Sequence, residues 1–510
     1  MAEGETMEKA LERIKELDRE IRTLNGIEAL LGWDHHVYMP ERGVQQRSEQ
    51  TAYIASLSHQ KITNPEFGDL LDKLGASAEN PLGSPSLSDD DRRLVRAVYR
   101  DFHQQTRVPG SLVEEFARVT SIAQSVWTEA RKKSDFSLFQ PHLEKIVDLN
   151  LQLADHLGYS AHPYDALVDQ YEPEITTAQI ATVFRQLRED LVPLVRDIKA
   201  AKQVDTSFLR QAYPVQLQEK FGRSVLDAIG FDARRARMDT SVHPFTTTIG
   251  VDDVRITTRY LADLVTSSLF GIVHETGHAF YELGFAERYR GTRLADACSL
   301  GIHESMSRFW ENIIGRGRAF WSHFYPKFKE TFPDQLSGVD IEAFYKAVNR
   351  VEPSLIRVEA DEVTYSLHII LRFELERMLI GKELKVKDLP HAWHEQSRDL
   401  LGIVPDGDAN GVLQDIHWSG GSIGYFPTYA LGNVYGLQFT AKLREEMPDL
   451  DTKVRHGEFA PIKAWLDTNV HAHGRSRTPQ ELCRQITGSP MSAEPFVNYL
   501  KTKYRDIYDL

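Results

Sequence analysis

The 510-residue chain is 41% apolar and carries a formal charge of −14, a composition with ample apolar material for a buried core. The acidic balance excludes an electrostatic footprint for nucleic acid or an anionic membrane, so small molecules or peptides are the expected partners. Two cysteines, Cys298 and Cys483, exclude a disulfide framework and point to a reducing compartment. The N-terminal stretch MAEGETMEKALERIKELDREI is charged where a signal peptide needs an apolar core, and no run is long enough for a membrane span. A cytoplasmic protein is expected.

Met7, Leu11, Ile14, Leu17, Ile21, Leu24 and Ile27 recur every three or four residues, which predicts an amphipathic helix at the start of the chain. The same period predicts helices near 111–132, 140–157, 178–201, 260–284, 304–330, 355–380 and 460–505. Pro/Gly/Ser-rich stretches at 75–91, 332–340 and 404–411 interrupt them. Residues 243–260, HPFTTTIGVDDVRITTRY, replace Leu, Ala and Glu with Thr, Val and Ile and predict one small β-hairpin. No break is long or biased enough for a flexible linker, and no repeat is present. The expected fold is mainly α: one large helical body over residues 1–510, with two lobes and a cleft.

The stretch FGIVHETGHAF, 270–280, carries the chemistry. Residues four apart share a helix face, so His274 and His278 can offer imidazole nitrogens to one ion while Glu275 stands beside them. Zinc in such a set keeps an open position and lowers the pKa of its bound water to about 7, and a neighbouring carboxylate then takes the proton. Uncharged flanks (Leu269, Phe270, Ile272, Val273, Ala279, Phe280) suit a buried ligand helix, on which unpaired ionisable groups would be costly. Cobalt or manganese are possible substitutes, since the ligand types accept several divalent ions.

A third ligand is expected from GIHESMSRFWENI, where Glu304 begins a second helical pattern. His303 competes, but adjacent helical residues diverge and only one of the pair can ligate. Glu311, two turns on, is assigned to a solvated face. His35 and His36 are likewise read as surface residues, and Cys298 as a buried inert thiol.

The chain resembles the carboxypeptidase Taq family, the M32 metallocarboxypeptidases. The resemblance runs from LLGWDHHVYMP (30–40) to beyond residue 440, through HPF (243–245), HETGH (274–278), HES (303–305), IRVEAD (356–361) and GVLQDIHW (411–418) in order. It implies a helical homodimer with a deep active-site groove that removes single residues from peptide C-termini with broad specificity. It also implies His274, His278 and Glu304 as metal ligands and Glu275 as general base. One departure is Met306, where the family usually has Gln after HES, which bears on the surroundings of Glu304 and not on the ligand itself.

The remaining blocks make chemical sense in that light. A carboxypeptidase must recognise a free carboxylate, and the planar fork of Arg matches one bidentately. Arg357 is the expected anchor, oriented by an i,i+4 pair with Asp361. His417 and Tyr429 stand on either side of a Gly-rich stretch, an arrangement similar to the wider HExxH-plus-Glu peptidases, where a His and a Tyr donate to the oxyanion. Tyr425 competes with Tyr429 for that role. His243, held extended before Pro244, is expected near the substrate. An endo-acting zinc oligopeptidase on a similar groove fold is the alternative function, and it would need no carboxylate anchor.

Overall fold

The computed structural model describes residues 2–510, with side chains from Glu5 onward. Helix dominates, as the periodicity predicts. The N-terminal helix Ala2–Val37 turns its apolar stripe (Ala10, Leu11, Ile14, Leu17, Ile21) onto the helices Pro65–Lys73 and Asp89–Arg107, forming a small satellite core with Phe67, Leu71 and Val95. The helix Val44–Ile62, which returns along the N-terminal helix, buries none of its residues. A charged network fastens the satellite to the main body. Arg293 donates its backbone N–H and Nε to Asp18, at 2.6 and 2.8 Å, and Arg293 and Arg475 both bind Asp101. Asp18 and Arg293 are buried, so removing Arg293 would strand the Asp18 carboxylate at a cost of about 3–5 kcal/mol.

The main core is built from the helices after Gly110 and one small sheet. Its strands are β1 (Ala236–Thr240), β2 (Thr246–Gly250) and β3 (Asp253–Thr258), in the order β1-β3-β2. β2 and β3 are the predicted hairpin; β1, parallel to β3, was not legible in the sequence. Only Ala236 and Met238 of β1 are fully buried, while the exposed Arg237 pairs with Asp239, too short an alternation to register as a strand.

The sheet lies on the helix Val265–Leu283, which carries HETGH. That helix is apolar almost all round because it is also covered by the helix Leu300–Arg308. Gly277 permits the crossing, since a Cβ there would stand 2.5 Å from the Met306 carbonyl oxygen.

Three predicted helices break differently from expectation. The 304–330 pattern resolves into Leu300–Arg308, a π-helical stretch Phe309–Gly315, and Arg318–Thr331 after Gly317. The 355–380 helix begins at Thr364. Asp361 caps it, accepting the Val363 and Thr364 amides at 2.9 Å, and Arg357 lies before it in a short 3-10 turn, Arg357–Glu359. The 460–505 stretch is three helices, Ala460–Asn469, Pro479–Thr487 and Glu494–Tyr508, separated at the left-handed glycines Gly474 and Gly488. Among the described residues no helix is long and apolar enough to cross a membrane.

Candidate metal centre and active site

His274 and His278 project from one face of the Val265–Leu283 helix toward Glu304 on the crossing helix. Glu304 Oε2 lies 3.7 Å from His274 Nε2 and 3.4 Å from His278 Nε2. One donor atom from each of the three lies within 4.8 Å of the others, and among the described residues no other group of His, Cys, Asp or Glu converges in this way. The far side of each ring is fixed. His274 Nδ1–H donates to Glu311 Oε2 at 2.8 Å and His278 Nδ1–H to the His303 carbonyl at 3.1 Å, so both Nε2 lone pairs face inward.

Glu311 is therefore not on a solvated face. It is buried, and it also accepts from Arg308 and Arg316. The π-helical turn puts more residues into each turn than a 3.6-residue projection allows, which alters the face on which Glu311 emerges. His303 is not a ligand candidate either: its Nε2 bonds Glu282 at 2.9 Å and its ring stacks on His278. Met306 points away from the cluster, its sulfur 3.2 Å from His471 Nε2.

Glu304 is gripped from behind. Arg308 Nε donates to Oε1 at 2.7 Å and Ser307 Oγ to Oε2 at 2.9 Å. Burial pushes the Glu304 carboxyl up, but Arg308 and the two histidines outweigh it and hold it well below the usual carboxylate range. The packing is tight: a Cβ on Gly432 would stand 2.6 Å from Glu304 Cγ. Glu275 is buried beside the cluster, and Thr246 Oγ donates to its Oε2 at 2.6 Å. Burial raises its carboxyl. His243 itself is exposed and only its carbonyl is engaged, by Ser241. The HPF block instead delivers Thr246, the next residue, to Glu275.

Arg357 is buried, and its orienting partner is Asp415, not Asp361, because the capping duty of Asp361 uses both its oxygens. Arg357 Nε donates to Asp415 Oδ1 at 2.9 Å and Arg372 Nε to Oδ2 at 2.7 Å, while Arg357 NH1 reaches Tyr365 Oη at 3.2 Å. Two guanidiniums on one carboxylate leave a buried excess of positive charge. His417 Nε2 lies 3.2 Å from Tyr429 Oη, and the Arg357 guanidinium stacks 5.0 Å from the Tyr429 ring. Tyr425 packs edge-on against Tyr429 and Tyr171. Burial pushes the His417 imidazole down to about 4 and the Tyr429 hydroxyl far above its usual range, so both are neutral at pH 7 and able to donate.

A cavity of about 550 Å³ opens beside His274 and is lined by Arg308, Glu311, Arg357 and Tyr365 among others. The sequence reading missed Thr246, Arg308, Tyr365 and Asp415. Arg308 stands four residues after Glu304 and Asp415 lies inside GVLQDIHW, signals that a pairing search would have used; Tyr365 carries no local signal.

The sequence profile described as carboxypeptidase Taq (M32) metallopeptidase matches residues 13–504. The chain is 42% identical to thermostable carboxypeptidase 1 of Thermus thermophilus, covering 99% of this chain and 100% of that one, and 39% identical to carboxypeptidase 1 of Bacillus subtilis, covering 94% and 95%. The solved M32 carboxypeptidase of Deinococcus radiodurans superposes with a TM-score of 0.95 at 40% identity, over 98% of this chain and all of that one.

Proposed function

The chain belongs to the carboxypeptidase Taq (M32) metallopeptidase family and is a metallocarboxypeptidase, and we propose that it works as a zinc enzyme in which His274, His278 and Glu304 hold the metal and Glu275 is the general base. The observation that carries this reading is the convergence of two Nε2 atoms and one carboxylate oxygen, with both rings oriented from behind. Two imidazoles and a carboxylate suit zinc. A divalent metal in that set supplies Lewis acidity, polarising the scissile carbonyl and making water a stronger acid.

The side chains do the rest. Thr246 holds Glu275 by Oε2, leaving Oε1 to take a proton from the attacking water and pass it to the leaving amine. Tyr429, braced by His417, donates to the oxyanion, with Tyr425 packed beside it. Arg357, rigidly held by Asp415 and carrying the excess charge of that cluster, anchors the terminal carboxylate. His243 shapes the approach to Thr246. The family resemblance supports broad specificity. Two buried, unbridged cysteines support a cytoplasmic location, and the family resemblance supports a homodimer.

The test is a peptide ladder with free C-termini, read by mass, for the zinc-loaded enzyme and Glu275→Gln. Successive loss of single C-terminal residues by the wild type only, with equal metal content in both proteins, is expected. Internal cleavage, or turnover by Glu275→Gln near the wild-type rate, would overturn the assignment.

A further inference from the structure

The cavity beside His274 is lined by arginines, and their partners differ. Arg308 is bound by Glu304 and Glu311, Arg316 by Glu311 and the Val348 carbonyl, Arg350 by Glu352 and Thr206, and Arg357 by Asp415 and Tyr365. Arg210 is exposed, where water solvates it. Arg259 differs from all of these: it is half-buried, its Nε is fully enclosed, and it makes no ion pair or hydrogen bond among the described residues.

Guanidinium keeps its charge at any pH a protein survives, so Arg259 cannot relieve its partial burial by losing a proton. A partly desolvated, unpaired charge is tolerated in a cavity when an anion arrives to complete it. Side chains of the departing residue vary from substrate to substrate, whereas the terminal carboxylate is always present. Arg259 also comes from a different segment than Arg357, directly after β3 and before the helix that bears His274, so the two sample the cavity from independent supports.

We infer that Arg259 binds the C-terminal carboxylate of the peptide substrate, as a second guanidinium acting with Arg357. The inference rests on the carboxypeptidase reading of this site. Arg259 supplies the uncommitted fork and Arg357 the fixed one, so the requirement for a free C-terminus is set by both.

Steady-state kinetics on one peptide body ending in Leu, Glu or Lys, as free acid and as amide, test it. Arg259→Gln is expected to raise KM for every free acid by about 10- to 100-fold, with kcat little changed, as loss of a charge-assisted bond made in both ground and transition states requires. The factor should be the same for all three side chains, the slow cleavage of amides should not change, and metal content should stay at the wild-type value. Arg259→Lys, which keeps charge without the fork, should raise KM for the free acids less, and it carries the same test should the Gln variant not fold. Wild-type KM in the variants, or a loss confined to peptides ending in Glu, would overturn the inference. A wild type that releases no C-terminal residue removes the parent reading; normal wild-type turnover with an indifferent Arg259→Gln removes only Arg259.

Discussion

His274 donates its Nδ1–H to Glu311 at 2.8 Å while its Nε2 faces Glu304, so one imidazole joins the candidate metal cluster to a carboxylate in the π-helical turn beyond the Glu304 helix. The Glu311 contact fixes the tautomer and makes Nε2 a stronger donor. Glu311→Gln keeps the size of the side chain and one acceptor but removes the charge. Metal affinity is expected to fall by about 10- to 100-fold, measured by chelator competition. Unchanged affinity would mean that Arg308 and Arg316, and not His274, are the reason Glu311 is charged.

That contact also marks where sequence reading stops. The convergence of His274, His278 and Glu304 was legible because helical spacing places i and i+4 on one face and Glu304 opens the next helical pattern. Glu311 was not, because a 3.6-residue projection fails inside a π-helical turn. Arg357 was singled out with the wrong partner: Asp361 sits at the right spacing for an ion pair, but the chain before Thr364 is not helical, and it is Asp415, nearly sixty residues on, that pairs with Arg357. The β2–β3 hairpin was legible from its Thr/Val/Ile run, whereas β1 depends on β3 to exist at all.

Gly432 tests how closely the Leu300–Arg308 helix is seated. A methyl group there would meet Glu304 Cγ at 2.6 Å, and Glu304 cannot retreat from Arg308 and Ser307. Gly432→Ala is expected to cost about 1–3 kcal/mol of stability by overpacking and to weaken metal binding with it. A variant with lowered Tm but wild-type metal affinity would show that the strain is absorbed by the Pro427–Glu446 helix instead.

Glu172 supplies a pH dependence. It is fully buried, accepts the Gly301 amide at 3.0 Å at the start of the Glu304 helix, and burial pushes its carboxyl up to about 7. A folded-state pKa above the unfolded value of about 4.5 means that the protonated form favours the fold. This stabilisation, roughly 3 kcal/mol at most, is complete below about pH 4.5 and is lost as pH rises through about 7. Glu172→Gln should therefore lose less Tm than the wild type between about pH 5.5 and 8.5. Parallel Tm profiles would mean that Glu172 is ionised in the core throughout.

Tyr429 and Tyr425 are separated by kinetics. Tyr429 Oη is braced by His417, and Arg357 supports its ring, which favours it as the donor to the oxyanion. Tyr429→Phe should lower kcat by roughly 10²-fold or more with little change in KM, because the bond strengthens only as charge develops. His417→Ala should show the same pattern more weakly. The kcat effect appearing in Tyr425→Phe and not in Tyr429→Phe would exchange the two roles.

Arg357 separates exo- from endo-cleavage. Amidating the peptide leaves the buried guanidinium facing a neutral group, which costs a few kcal/mol for a desolvated charged hydrogen bond, so the wild type should cut the amide more slowly than the free acid by about two orders of magnitude. In Arg357→Lys the ammonium keeps the charge but cannot hold Asp415 and Tyr365 and still present a planar fork. Free-acid cleavage should fall by about 10- to 100-fold while amide cleavage stays where it was, narrowing the preference. Arg357→Ala should narrow it further, and the residue that remains should vanish in the Arg259→Gln, Arg357→Ala double variant. If the single Arg357 variants keep the wild-type ratio of free acid to amide, the carboxylate is read elsewhere, and Arg357 serves only to hold Asp415 beside His417.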